Sequence, residues 1–325
     1  MNDAKYVVSS TPHVRDKVTT QSIMIDVIIA LCPAALMGIY YFGFDALLTI
    51  ALSIASCVFF EYLFKKISNR PMSIKDCSAI VTGLLLAMNL PASNNLLLPI
   101  VGSAFGIIFV KQIFGGLGYN FLNPALGARV FLLLSYPTAM VNFPSPQRNL
   151  MNLGVDAVSS ATPLAVLKSG VAPVSSDYIN ALIGYHGGTL GEVCAAALIL
   201  GGIYLFAKRI ITWRIPVSFI GTVLVLTFIF GRDQSAYPLY EILTGGVLLG
   251  ALFMATDYTT SPVTPVGQII MGIGCGLITT LIRIYGSYPE GVSFAILFMN
   301  LATPLIDKFT PPRVMGKKRQ KVKIS

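Results

Sequence analysis

The sequence predicts an all-α integral membrane protein of about ten transmembrane helices, arranged as two inverted repeats of five. Three observations predict it. Of 325 residues, 54% are hydrophobic and only 11% charged, with a mean hydropathy of +0.74, whereas a soluble domain carries about 25% charged residues. Apolar runs near the roughly 20 residues that span a hydrocarbon core recur along the whole chain, separated by short punctuated turns. TGLLLAMNLPAS at 82–93 is matched by GGVLLGALFMATDYTTSP at 245–262, each a short run before a proline-containing break. Copies with an odd number of spans enter the membrane in opposite senses, and such folds place ligands where the halves meet, near broken helices.

Residues 1–22 are polar and lack the apolar core and cleavage site of a secretory signal, so they read as a cytoplasmic segment before an uncleaved first span. The first repeat, 23–137, has expected spans at 23–43, 46–64, 78–90, 96–114 and 121–137. Residues 138–188 are too polar and interrupted to span. The second repeat, 189–306, has expected spans at 190–207, 215–230, 239–256, 265–284 and 290–306, and a basic tail, 307–325, closes the chain. Placing the N-terminus in the cytoplasm gathers Lys65, Lys66, Lys75, Lys111, Lys208 and the tail from Lys308 to Lys323 on that side. Only Arg148, Lys168, Arg232 and Arg283 are then left outside, the asymmetry of the positive-inside rule. Both termini are then cytoplasmic and 138–188 is an outer-face loop segment. The net charge of +9 reads as cytoplasmic flanks facing anionic headgroups, which leaves nucleic-acid binding unnecessary.

The inventory excludes several chemistries. Cys32, Cys57, Cys77, Cys194 and Cys275 are far apart, with no C-x-x-C and no metal-ligand or iron–sulfur spacing, and read as packing residues. His13 and His186 are the only histidines, which excludes a histidine-rich metal or catalytic cluster. No G-x-G-x-x-G follows a strand, and no nucleophile or acid–base pair stands out, so no catalytic residue is assigned. The run Gly272-Ile-Gly-Cys-Gly276 sits within an apolar span, where close helix packing explains it. Asp26 and Glu61, near span ends, are expected at the interface.

Polar groups at membrane depth need reasons. Arg129 has two open readings: a cation facing the interior near a cofactor or a partner carboxylate, or a structural ion pair or snorkelling side chain. Asp257 is such a partner, an ion-path residue, or a plain turn aspartate. Asn120, Asn123 and Pro124 either line a ligand cleft or cap a helix start.

Within the outer segment runs Asp156-Ala-Val-Ser-Ser-Ala-Thr162-Pro163-Leu-Ala-Val-Leu-Lys168. Thr162 reads as an N-cap and Pro163 as the first position of a short helix. A helix start also has free amide donors, a seat for a phosphate carried on the capping hydroxyl.

D-x-x-S-S-A-T resembles the flavinylation motif of the Rnf and Nqr respiratory complexes, in which a threonine is esterified to the phosphate of FMN by a flavin transferase. Thr162 stands at the acceptor position and Asp156 at the acidic one, with Ser159, Ser160 and Ala161 between; Ser160 departs from the more usual glycine. Ile113-Phe-Gly-Gly-Leu-Gly-Tyr-Asn-Phe-Leu-Asn-Pro-Ala-Leu-Gly-Ala-Arg129-Val-Phe, running on to Ser135-Tyr-Pro137, is similar to a signature of the NqrB/RnfD family, and Ser-Ser-Thr-Pro-His13-Val-Arg15 resembles the start of its Rnf member. The resemblance implies a flavin-carrying subunit of an ion-translocating ferredoxin:NAD oxidoreductase in a bacterial cell membrane, coupling electron flow to Na+ or H+ export. It implies covalent FMN on Thr162, a second, non-covalent flavin related to riboflavin, and partner subunits that handle NAD and ferredoxin. The cofactor-binding set is then Thr162, Asp156, Ser159, Ser160, Ala161, Asn120, Asn123 and Arg129. A secondary transporter or channel for a small solute is the alternative, and a purely structural membrane scaffold a third; the outer D-x-x-S-S-A-T segment separates the first reading from both.

Overall fold

A computed structural model describes residues 18–92, 95–146, 161–231, 237–286 and 288–311. The helices, in chain order, are α1 Thr20–Phe42, α2 Phe44–Ile67, α3 Ser78–Met88, α4 Leu97–Gln112, α5 Pro124–Ser135, α6 Pro137–Val141 and α7 Pro163–Lys168. They continue with α8 Ser175–Ile183, α9 Ala195–Ala207, α10 Arg214–Phe230, α11 Pro238–Leu243, α12 Val247–Leu249, α13 Pro265–Tyr285 and α14 Val292–Phe309. No strand forms among the described residues; Pro91 and Thr189 make one antiparallel bridge. Among the described residues, four helices, α1, α2, α13 and α14, are long and apolar enough to cross a membrane. Their outward faces, with Leu36, Phe59 and Phe298 more than half exposed, suit lipid or partner subunits.

Local chemistry sets where helices start. Thr19 and Ser22 form a reciprocal capping box at α1. Asn123 and Thr264 each cap a helix whose first residue is a proline, Pro124 and Pro265, so the missing N–H falls where no partner exists. The long helices pack closely through small residues, as the glycine run in α13 predicts. A Cβ at Gly272 would lie 2.8 Å from the Ile215 carbonyl oxygen, and one at Gly276 2.9 Å from that of Phe219. Those two positions are one helical turn apart, so α10 lies directly on α13.

Two of the expected spans are broken. α3 has 11 residues and is about 16 Å long, short of the roughly 30 Å hydrocarbon thickness. The expected span 239–256 is divided into α11, α12 and a π-helical continuation, Gly250–Met254, because Thr244 is extended and Gly245 has a φ of +72°. α4 likewise passes from α to π geometry at Phe105–Gln112. The two broken helices meet near the middle of the bundle: the Asn89 amide donates to the Met254 sulfur, 3.7 Å, and the Asn123 amide donates to the Met254 carbonyl, 3.3 Å.

The expected span 190–207 also begins later, with α9 starting at Ala195. Residues 187–194 are buried loop instead. The Leu190 amide donates to the Leu90 carbonyl, 3.1 Å, and the Gly191 amide to that of Met88, 2.8 Å. This loop therefore satisfies carbonyls that α3 leaves open at its end. The bundle has two ends: a loop end, formed by 184–194, 238–246 and 288–291, and a tail end, where α14 finishes at Phe309.

Candidate functional site

At the loop end, Arg129 is 6% exposed although it lies in the middle of α5. Its guanidinium donates to the side-chain Oδ1 of Asn89 at 2.6 Å, pairs with Glu192 at 3.5 Å and makes its shortest contact with Glu290. These partners come from the break after α3, the buried loop and the turn before α14. Of the two readings of Arg129, the partner carboxylate and ion pair are what the structure contains; at 6% exposure it does not snorkel. Burial pushes the Glu290 carboxyl up to about 7, against the pull of Arg129. Gly246 makes room for this arrangement, since a Cβ there would lie 2.9 Å from Glu192 Oε1.

A second guanidinium, Arg283, extends the network. It is 7% exposed, donates from Nη1 to the Glu241 carbonyl at 2.7 Å and from Nε to the Glu290 carbonyl at 3.2 Å, and lies 3.5 Å from the Glu241 carboxylate. Its Nη2 is buried with no hydrogen-bond partner among the described residues. Arg283 opens onto a cavity of about 500 Å³ lined by Leu164, Leu167 and Lys168 of α7 and by Thr227, Tyr237 and Glu241. α7 is held there by Leu164, 5% exposed, which packs over Gly245. Thr162 caps α7: its Oγ1 accepts from the Ala165 amide at 3.2 Å, Pro163 follows, and the side chain is 7% exposed. Ala161 beside it is exposed, while Asp156, Ser159 and Ser160 lie outside the described residues.

At the tail end, Glu61 is fully buried, not interfacial as its position suggests. Lys111 pairs with it at 2.8 Å and donates to the Ser78 hydroxyl at 2.7 Å; Ser73 donates to the other carboxylate oxygen at 2.9 Å, and Lys65 lies 3.8 Å away. Lys111 and Lys65 are thus buried ion-pair partners instead of solvated flanks. Asp26, by contrast, accepts from Tyr204 at 2.7 Å and lies 3.7 Å from the half-exposed Lys208, as an interfacial residue does.

Beside this cluster is a narrower cavity of about 90 Å³, and the structure brings Asn120, Asn123, Pro124, Lys111, Ser78 and Asp257 together around it. Asn120 donates to Thr259 and to the Leu122 carbonyl, both at 3.0 Å, and Thr259 donates to Asp257 at 2.8 Å. Burial raises the Asp257 carboxyl above its ordinary value, opposed by its threonine donors. Asn123 caps α5, accepting from the Ala125 amide at 3.1 Å, and also lines this cavity. Asp257 is not a partner of Arg129. Arg129 does not line this cavity, and Thr162 lies with the loop-end elements, so the expected cofactor residues fall into two groups.

Sequence reasoning missed Glu192, Glu290, Arg283 and Lys111. The signal that could have found them was charge parity: an arginine within a span requires buried carboxylates, and only 14 acidic residues exist to supply them.

Long apolar helices, charge buried at both ends of the bundle and apolar outer faces define a polytopic, all-helical membrane protein. The chain belongs to the NQR2, RnfD, RnfE family, whose model matches residues 7–316. It is similar to the subunit named D of the Na(+)-translocating ferredoxin:NAD(+) oxidoreductase complex of Acetobacterium woodii, with 48% identity over 97% of this chain and 97% of that protein. It is 43% identical to the corresponding subunit of the proton-translocating ferredoxin:NAD(+) oxidoreductase complex of Clostridium ljungdahlii, again over 97% of each. The like-named subunit of an ion-translocating oxidoreductase complex of Ectopseudomonas mendocina is 34% identical over 95% of this chain and 96% of that protein.

Proposed function

We propose that this chain is the membrane subunit of an Rnf-type ferredoxin:NAD oxidoreductase that carries FMN esterified to Thr162 and links electron flow to ion export. The observation that carries the reading is the placement of Thr162. It is a capped, fixed hydroxyl on a helix whose next turns, at Leu164, Leu167 and Lys168, line a cavity of about 500 Å³, within the range of small-molecule and cofactor sites. The Nη2 of buried Arg283, in the same wall, has no hydrogen-bond partner among the described residues, which fits an acceptor on a ligand. When bound, a flavin would supply the one- and two-electron chemistry; the protein supplies position, charge and exclusion of water. Thr162 would fix the attachment point, α7 would hold it against the bundle through Leu164, and Arg129 would hold the loop-end elements together around it.

The same reading makes the loop end the outer face and the tail end cytoplasmic, with ten crossings in two inverted halves. The meeting of the two broken helices at Asn89 and Met254 supports the repeat. The buried Arg129 network and the Glu61–Lys111 pair support a polar route interrupted at the bundle's middle. The tail-end cavity, with Asn120, Asn123 and Pro124, is about 90 Å³ and holds waters, not a tricyclic ring, so its residues as they stand do not fit a second, non-covalent flavin. The relatives at 48% and 43% identity are named for sodium and for protons, so overall similarity does not choose the ion. NAD and ferredoxin would be handled by partner subunits, and a flavin transferase would make the ester.

In-gel fluorescence tests the reading. The chain co-expressed with its flavin transferase should fluoresce on a denaturing gel, and Thr162→Val should be dark while inserting normally. Fluorescence persisting in that variant refutes the attachment site.

A further inference from the structure

We propose that Arg283, assisted by Lys168, is an electrostatic positioning residue for a ring-shaped, electron-accepting ligand seated in the loop-end cavity, and that it raises that ligand's reduction potential. The assignment rests on the reading that Thr162 carries FMN.

Three independent features of the cavity converge on it. Its floor is apolar, from Leu164, Leu167 and Ile284, which suits a flat ring. Of the charged residues that line it, two are cations, Arg283 and Lys168, and one is a carboxylate, Glu241, while Glu290 and Glu192 act on Arg283 from outside the lining. Glu241 is already engaged, since it accepts from Thr227 at 3.2 Å and lies 3.5 Å from Arg283 Nη1. Arg283 spends Nε and Nη1 on two carbonyls and keeps Nη2 without a hydrogen-bond partner among the described residues. A buried guanidinium N–H left unmade is costly. It is rational where a ligand completes the set.

The geometry also explains why Gly245 stands at the break. A Cβ there would lie 2.5 Å from Leu164 Cδ1 and 3.1 Å from Arg283 Nη2, displacing both the α7 anchor and the guanidinium. Lys168, at the end of the same helix, donates to the Gly286 carbonyl beside Arg283. The two cations therefore approach the cavity from opposite elements, α7 and α13.

The effect on potential follows from the balance of the half-reaction. A bound flavin reduced by two electrons from one-electron carriers of neighbouring subunits, with one proton from solvent, would carry one negative charge, and Arg283 and Lys168 would be the cations facing it. A hydrogen-bonding cation beside that charge stabilises the reduced form over the neutral oxidised form, because its interaction is stronger with the charged state.

The test is a spectroelectrochemical titration of the covalent flavin in the purified complex, with in-gel fluorescence run in parallel. Arg283→Gln should shift the oxidised-to-reduced balance at least tenfold toward oxidised, about 30 mV lower for a two-electron couple. Lys168→Gln should shift it in the same direction by less, and Arg283→Lys should keep most of the wild-type value. If Arg283→Gln does not fold, Lys168→Gln and Arg283→Lys carry the test. Unchanged potentials with full fluorescence overturn the assignment while leaving Thr162 intact; a wild-type chain without fluorescence overturns the attachment reading and this assignment with it.

Discussion

The two ends of the bundle bury charge in different ways. At the tail end one carboxylate, Glu61, sits between two lysines, and the contributing elements, α2, the turn after it, α3 and α4, all lie in the first part of the chain. At the loop end two arginines face three carboxylates, Glu192, Glu241 and Glu290, drawn from elements up to 161 positions apart. The difference follows from the cations. A lysine ammonium is a compact point charge that serves one local pair, whereas a planar guanidinium offers a fork that binds several elements at once. The tail-end cluster therefore holds one half of the chain together, and the loop-end cluster ties the two halves to each other.

Damage at the two ends should be unequal. Arg129→Ala strands Glu192 and Glu290 in the interior and should cost about 3 to 5 kcal/mol, read as lost thermal stability of the detergent-solubilised chain. A cost near zero would mean that water reaches the network and that the halves are joined elsewhere.

The loop end should also be the pH-sensitive one. Glu290 is raised from its ordinary 4.5 to about 7, so between those values the folded protein holds a proton that the unfolded chain has released. Stability is then fullest below about 4.5 and falls as pH rises through about 7. Glu290→Gln should flatten that part of a melting-temperature profile; an unchanged slope would place its origin in another group.

Lys111→Met should be milder, about 1 to 3 kcal/mol, because Lys65 stays beside Glu61. The double change Glu61→Leu with Lys111→Met should recover most of that loss, since an apolar pair can replace a buried ion pair. Failure of that rescue in a double-mutant cycle would show that the tail-end pair does more than fill space.

Gly245→Ala probes the junction between α7 and the loop-end network. Its φ of +72° disfavours any side chain, at a cost of about 1 to 2 kcal/mol. The added methyl also strikes Leu164, so α7 should become more susceptible to proteolysis at Lys168 than the rest of the chain. Equal susceptibility would detach α7 from the network.

Much of the helical fold was legible in the sequence because apolar run length and capping chemistry are local. α1, α2, α13 and α14 follow from unbroken runs, and the starts of α5 and α7 from Asn123-Pro124 and Thr162-Pro163. Gly272 and Gly276 announced a close helix contact. The breaks were harder. Thr244-Gly245-Gly246 reads as part of an apolar run, and only the need to admit Leu164, Arg283 and Glu192 explains why the helix stops there. The candidate site was half legible. Arg129, Asn123 and Thr162 were marked by chemistry out of place in their surroundings. Glu192, Glu290 and Arg283 sit where a charge looks ordinarily solvated, and their burial arises from tertiary contacts that spacing along the chain does not encode.

The proposed function turns on one hydroxyl, on Thr162, carrying the redox group at the end of the bundle where the two halves are locked. Mass spectrometry of the proteolytic peptide spanning 149–168, from chain matured with its flavin transferase, tests it most directly. This peptide should be heavier by FMN less water, with fragment ions placing the adduct on Thr162. A stoichiometric unmodified peptide, or an adduct on Ser159 or Ser160, would contradict it.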